Sequence, residues 1–459
     1  MSDFKKNHSA PHPVTKVSSR LTGFYKLSRG ERLDALKAFT DLPVDQLRLL
    51  GHDGALPFEL ADLFVENALG SFPLPLGLAT NFFVNGSDYV VPMAVEESSV
   101  IAAASNAAKW VYESGGFQAH ALNNQMIGQI QLLDIAVADF EKVKKIISEN
   151  KIKLLQIANE THPRLLMRGG GARDLELRLF PEAKIPFMVL HIYMDTKDAM
   201  GANLVNTVCE RLSVEVAALT SARIGLRILS NLADRKLFFA RARVQTHFLA
   251  LKEKSNEISG EDVAKRIVEA FVFADNDPYR ATTHNKGVMN GVDPVVIATG
   301  NDWRAVSSGA HAYASHTSGR YRSLTEWKID SQTGDLIGEI TIPLQLGTVG
   351  GVTRLHPMAQ LSLQILGNPS SEELGCVMAC TGLASNLAAL RALVTTGIQR
   401  GHMKLHAKNL ALSAGARGAE IEWVALRMVR DSKVTASHAE AVLSQLRHHP
   451  EINHELSDN

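Results

Sequence analysis

Three cysteines, Cys209, Cys376 and Cys380, are all that the 459 residues contain. That is too few for a disulfide framework and fits a reducing compartment. Net charge is missing as well: 48 Lys and Arg balance 48 Asp and Glu. Nothing global therefore draws the chain to nucleic acid or to an anionic membrane. Long apolar runs are lacking too. The stretch NALGSFPLPLGLATNFFVNGS is broken by Pro73, Pro75, Asn81 and Asn85, and no segment reads as a membrane span. The first twenty residues are polar and carry no apolar core of a signal peptide. They read as a flexible arm on a cytoplasmic protein. Neither G-x-G-x-x-G between a strand and a helix nor G-x-x-x-x-G-K-[ST] occurs, which removes the usual nucleotide fingerprints. Cys376 and Cys380 lie one helical turn apart in an apolar stretch and read as core residues. His402 and His406 have the i, i+4 spacing of a zinc pair, but no H-E-x-x-H glutamate lies between them, so no metal is expected.

What is present is an ordinary globular composition, 45% hydrophobic and 21% charged, with length for two or three domains. Residues 28–70 carry apolar residues at helical spacing in SRGERLDALKAF and PVDQLRLLGH. The alanine-rich VEESSVIAAASNAAKWVYES suits a tightly packed central helix. From Gln125 the texture changes. MIGQIQLLDI alternates as a strand and DFEKVKKIISENKIKLLQIAN as an amphipathic helix. LELRLF and FMVLHIYMD read as strands, GANLVNTVCERLSVEVAALTSA as a helix and IGLRILSNL as a strand. That β-α-β-β-α-β order is a ferredoxin-like plan, inserted into a larger domain. A hairpin follows in SLTEWKIDSQTGDLIGEITIPL, then GTVGGVTRLHP, a long alanine- and leucine-rich helical stretch and a polar amphipathic tail.

The most informative segment is HNKGVMNGVDPVVIATGND, His284–Asp302. It sets a lysine and an aspartate at the ends of a mostly apolar run, where charge is costly unless paired or chemically used. DTKDAMGAN, Asp195–Asn203, follows a strand and opens a helix. Its small residues let backbone amides approach an anion, and Asp198 is placed to bond a ribose hydroxyl. The same residues also fit a capping aspartate and a packing glycine. GGGAR, Gly169–Arg173, suits either a phosphate loop or a plain turn.

ENALG (Glu66–Gly70), PMAVEESSVIAAASNAAK (Pro92–Lys109), DAMGAN, HNKGVMNGVDPVVIATGND and GIQRGHMKLHAKN occur in one order. From about Leu21 to Val434 the chain resembles the class II (bacterial-type) 3-hydroxy-3-methylglutaryl-CoA reductases. The resemblance implies a reaction: NAD(P)H reduces the thioester to mevalonate and free CoA. It implies an α+β fold with a large mixed domain (21–124 and 231–396), a non-Rossmann, ferredoxin-like coenzyme domain (125–230) and a helical C-terminal flap (397–459). It also implies a homodimer with the active site at the interface, and leaves assembly beyond the dimer open.

The implied roles fall on matching positions. Lys286 would stabilise oxyanion character, Glu97 would donate protons and Asp302 would link the two. His402 would protonate the leaving thiolate, a task suited to imidazole. Ser99, Asn231, Arg280 and Asn290 match substrate contacts, with Arg280 a rigid fork for a carboxylate. Asp198, Met200, Gly201 and Asn203 match the coenzyme motif. Two departures stand out. Glu97 is followed by Ser98 where the family has proline. His162, with Arg164 and Arg168 nearby, stands where NADH-preferring members have an aspartate. That removes repulsion of a 2′-phosphate and predicts NADPH used at least as well as NADH. A redox-inactive CoA-ester lyase or hydrolase, or a non-catalytic acyl-CoA-binding protein, would share the lysine, acid and histidine. Either would leave DAMGAN without a task.

Overall fold

The computed structural model describes residues 18–40, 42, 43, 45, 46, 49, 56–253, 256–316 and 318–448; for 252, 253, 256 and 398–405 the backbone alone is described. Most of the expected N-terminal arm, most of PVDQLRLLGH and the last residues of the expected flap lie outside this set.

Two short helices, α1 (Arg29–Phe39) and α2 (Phe58–Phe64), precede a hairpin of β1 (Leu76–Val84) and β2 (Ser87–Ala94). Ser28 and Glu31 close a reciprocal capping box at the start of α1. Helix α3 (Val100–Glu113) packs on β1 and leads to β3 (Phe117–Ala121). The small domain then interrupts the large one: β4 (Gln125–Leu133), α4 (Phe140–Glu149), α5 (Lys151–Glu160), α6 (Pro163–Met167), β5 (Gly171–Phe180), β6 (Phe187–Asp195), α7 (Ala202–Thr220) and β7 (Arg223–Ser230). Its sheet runs β5-β6-β4-β7, antiparallel throughout, the ferredoxin-like order read from the sequence. One difference lies at Asn150. The single amphipathic helix expected there is two, because the Asn150 side chain donates to the Ile146 carbonyl at 2.9 Å and competes with the helical ladder. Met126, Ile130, Leu190, Val205, Val208 and Leu212 form this domain's core.

The chain returns through β8 (Leu237–Val244), a small hairpin of β9 (Leu251–Glu253) and β10 (Asn256–Ile258), and helices α8 (Gly260–Asn276), α9 (Pro278–Ala298) and α10 (Trp303–His316). The hairpin of β11 (Thr325–Ile329) and β12 (Leu336–Pro343) completes a six-stranded sheet, β11-β12-β8-β3-β1-β2, in which the β1–β3 pairing is parallel. Then come α11 (Gly351–Leu355), α12 (Pro357–Ile365) and α13 (Ser371–Val394). The most enclosed helix is α13 rather than the alanine-rich α3, whose other face borders a cleft. Every residue of α13 from Leu374 to Leu387 is buried. By length and composition α13 could cross a bilayer, but here it fills the core between α9 and the sheet. A side chain at Gly291 of α9 would collide with the backbone at Thr381, and one at Gly382 would meet Val292. These two glycines let the helices approach at contact distance. Beyond the core, α14 (Ile398–Ser413), α15 (Ala419–Arg430) and α16 (Ala436–His448) form a unit with its own apolar cluster of Ala407, Ala411, Val424, Met428, Val442 and Leu443.

Candidate functional site

A cleft of 2380 Å³ opens where β2 ends, α3 begins and α9 passes. Asp277 accepts from the Tyr279 amide at 2.9 Å with Pro278 at the first helical position, which starts α9. In the next turns the HNK triplet divides its labour. His284 and Asn285 face inward. His284 Nε2 lies 2.7 Å from Thr325 Oγ1 and 3.1 Å from Asn386 Nδ2. Asn285 donates to the Arg322 carbonyl at 2.8 Å and accepts from the Leu324 amide at 2.9 Å. Burial, aided by the charge of Arg280, lowers the His284 pKa to about 3 and keeps that ring neutral. Lys286, on the outer face, donates to Glu97 Oε2 at 2.9 Å. The two side chains remain 59% and 40% exposed, so the pair is open to an incoming ligand and adds little to stability.

Ser99, Arg280 and Asn290 line the same cleft. Ser99 holds a left-handed φ of 71° at the start of α3, local strain beside the glutamate. The Arg280 guanidinium is half-buried, its pKa lowered by desolvation, with no ion-pair partner among the described residues. A carboxylate would satisfy it. Lys26, Arg32 and Lys109 supply further cations along the walls.

The other expected groups lie elsewhere. Asp302 sits beyond the far end of α9. Its Oδ1 accepts from the Arg304 and Ala305 amides at 3.0 and 3.1 Å, and its Oδ2 pairs with Arg304 at 3.0 Å. It caps α10 and does not join Glu97 to Lys286 within this chain. The reason is length: Lys286 and Ala298 are twelve helical steps apart, roughly 18 Å at about 1.5 Å per step. Asn231 is exposed where the small domain rejoins the large one, and its carbonyl accepts from the Gln345 side chain. His402 lies on α14, and its side chain is outside the described residues.

Near Asp302 is the DTKDAMGAN loop. Gly201 precedes α7 at φ 100°, and a Cβ there would collide with Thr196. Met200 abuts Gly347, whose amide donates to Asn301 Oδ1 at 2.8 Å. The reading of Asp198 as a ribose ligand meets a competing geometry: its Oδ1 accepts from the Ser371 amide at 2.8 Å. The first turn of a helix has free N–H groups and positive potential, which hold a carboxylate there. Asn203 is exposed on the first turn of α7. GGGAR lies alongside, with Arg173 reaching Asp195 at 3.2 Å. His162 Nε2 lies 3.3 Å from the Leu204 carbonyl, so it borders the opening of α7, while Arg164 is exposed. No cluster of three or more His, Cys, Asp or Glu that could hold a metal occurs among the described residues.

The family model for hydroxymethylglutaryl-coenzyme A reductase matches residues 28–407. The chain belongs to that family. A hydroxymethylglutaryl-coenzyme A reductase from Archaeoglobus fulgidus is 47% identical over 94% of this chain and 95% of its own length. A probable one from Borreliella burgdorferi is 36% identical over 85% and 88%. Among solved structures, a Streptococcus pneumoniae reductase aligns with a TM-score of 0.78 and 42% identity, over 93% of this chain and 99% of that one. A class II form of it, bound to NADPH in open conformations, aligns at 0.77 and 42%, over 82% and 99%.

The residues expected at the site of this class II reductase thus fall in two groups. Lys236, wholly buried beneath the DTKDAMGAN loop, is not singled out by the sequence. A lysine before an apolar strand, LFFARARV, gives no hint that its head is enclosed. The GTVGG loop carries no role in the sequence either, since its partner Asn301 lies 46 residues away.

Proposed function

We propose that this reductase converts hydroxymethylglutaryl-CoA, two NADPH and two protons to mevalonate, CoA and two NADP+, or runs the reverse, in the cytoplasm, at a site shared by two copies of the chain. The separation of Lys286 from Asp302 along α9 carries this reading. Glu97, Ser99, Lys286, Arg280 and Asn290 form one half. Asp302, Asn231 and the loop with Met200, Gly201 and Asn203 form the other. A second copy facing the cleft would bring the halves together. Leu69 and Tyr279, 100% and 87% exposed, and nearby Phe72 supply apolar surface for that contact. The three cysteines are buried and free, as a reducing compartment favours.

In this arrangement Arg280 binds the substrate's free carboxylate and Lys26, Arg32 and Lys109 favour the phosphates of CoA. The Lys286 ammonium meets the thioester oxygen and stabilises the charge that grows there. Glu97, the partner of that ammonium, would pass a proton to that oxygen, and Asp302 from the second copy keeps lysine and glutamate aligned. His402 on the flap protonates the leaving sulfur, and closure of 397–459 excludes water. NADPH would supply hydride from the strip between GGGAR, His162, Arg164 and DAMGAN. The close backbone approach at Gly201 and Gly347 fits such a cradle, and the domain 125–230 would be the coenzyme domain. No metal is needed for these steps. The test is nicotinamide absorbance with hydroxymethylglutaryl-CoA, comparing kcat/KM for NADPH and NADH. Oxidation of neither coenzyme would overturn the reading.

A further inference from the structure

Lys236 is fully buried, rare for a lysine without a task or a partner. It does not line the cleft and lies beneath the DTKDAMGAN loop, shut off from solvent. Its Nζ donates to the Leu346 carbonyl at 3.1 Å and to Thr196 Oγ1 at 3.5 Å. Burial lowers its pKa to about 8, and Asp195, Asp198 and Glu372 oppose that shift. Each partner belongs to a different part of the fold. Thr196 opens the coenzyme loop and donates to the Ala199 carbonyl at 2.8 Å, which shapes the turn before Gly201. Leu346 precedes Gly347, whose amide holds Asn301, the residue next to Asp302. From the same strip the Thr348 amide donates to the Asp198 carbonyl at 2.8 Å, and the contact of Gly347 with the Met200 amide leaves no room for a side chain. The buried ammonium is therefore the node at which the small-domain loop, the GTVGG strip and the Asn301–Asp302 turn are tied.

We infer that Lys236 is a positioning residue that fixes the coenzyme loop against the Asp302 turn, so that a bound dinucleotide meets the catalytic half-site in register. This rests on the reductase reading above. Lys236 acts through Thr196 and Leu346 and contacts no reacting atom.

The test uses the full-length protein with Lys236→Met, which keeps the stem and removes the charge, and with Thr196→Val, which removes one partner. NADPH is titrated by nicotinamide fluorescence, hydroxymethylglutaryl-CoA by calorimetry, and kcat and KM are measured for each. Loss of a charged hydrogen-bonded group in Lys236→Met raises the NADPH dissociation constant about tenfold to a hundredfold. Thr196→Val raises it less, and hydroxymethylglutaryl-CoA binding is unchanged in both. Unaltered NADPH affinity in both variants overturns the inference. Equal weakening of both ligands does so too, as the mark of a generally loosened fold. If Lys236→Met does not fold, Thr196→Val decides by the same criteria. Wild-type protein that binds NADPH but turns over no substrate overturns the proposed reaction instead, and the binding arm still decides the role of Lys236.

Discussion

At the scale of single residues, the open Lys286–Glu97 pair is where chemistry and stability separate. Lys286→Ala or Glu97→Gln should lower kcat about a hundredfold to a thousandfold, while the melting temperature stays near that of the parent, because the pair is exposed. His162 borders the opening of α7. His162→Asp should therefore move the kcat/KM ratio for NADPH over NADH toward NADH by about tenfold, through repulsion of the 2′-phosphate. An unchanged ratio would remove His162 from coenzyme choice. Asp293, on α9, has a buried oxygen without a hydrogen-bond partner, and burial raises its pKa to about 7. A carboxyl whose folded pKa lies above its unfolded value stabilises fully below the unfolded value, near 4, and loses that contribution as pH rises through 7. Asp293→Asn should match the parent in urea melts at pH 4 and exceed it by roughly 1–3 kcal/mol at pH 8.

At the scale of elements, the crossing of α9 and α13 is the least tolerant place in the large domain. Gly291→Ala would drive a methyl into the Thr381 backbone and should lower stability by about 2–4 kcal/mol, read from denaturant midpoints. A shift below half a kcal/mol would mean that the helices part easily. The alternation in β4, the continuous apolar run of β6 and the apolar spacing of α7 made the small domain legible, because β6 is buried along its length and β4 and α7 each turn an apolar face to its core. Asn150 hid the break between α4 and α5, since a single polar residue leaves the apolar period almost intact. The surrounded state of α13 was less legible. An all-round apolar helix shows no face, so its period cannot say which neighbours enclose it. Glu97, Lys286 and Asp302 could be named from motifs, but not their distances. Asp302 shares a motif with Lys286, and only the rise of α9 shows that one chain holds them apart. The double duty of Asp198, a motif residue engaged by the first turn of α13, was equally invisible, because Ser371 lies 173 positions away.

At the scale of the whole molecule, the proposed sharing of the site between two copies makes a distinctive prediction. Lys286→Ala and Asp302→Ala proteins, each inactive alone, should regain activity when unfolded together and refolded as a mixture. With random pairing of copies, about a quarter of the wild-type rate is expected, since half the dimers are mixed and each carries one intact site of two. No recovery would place all the catalytic groups in one copy. The ends of α9 also bear on how the enzyme behaves when scarce. Below the dissociation constant of the proposed pair, the rate would grow with the square of protein concentration, so a modest fall in expression would silence it sharply. A copy lacking both Lys286 and Asp302 would leave no intact site in any such pair it joins, and an allele with that double defect would act dominantly.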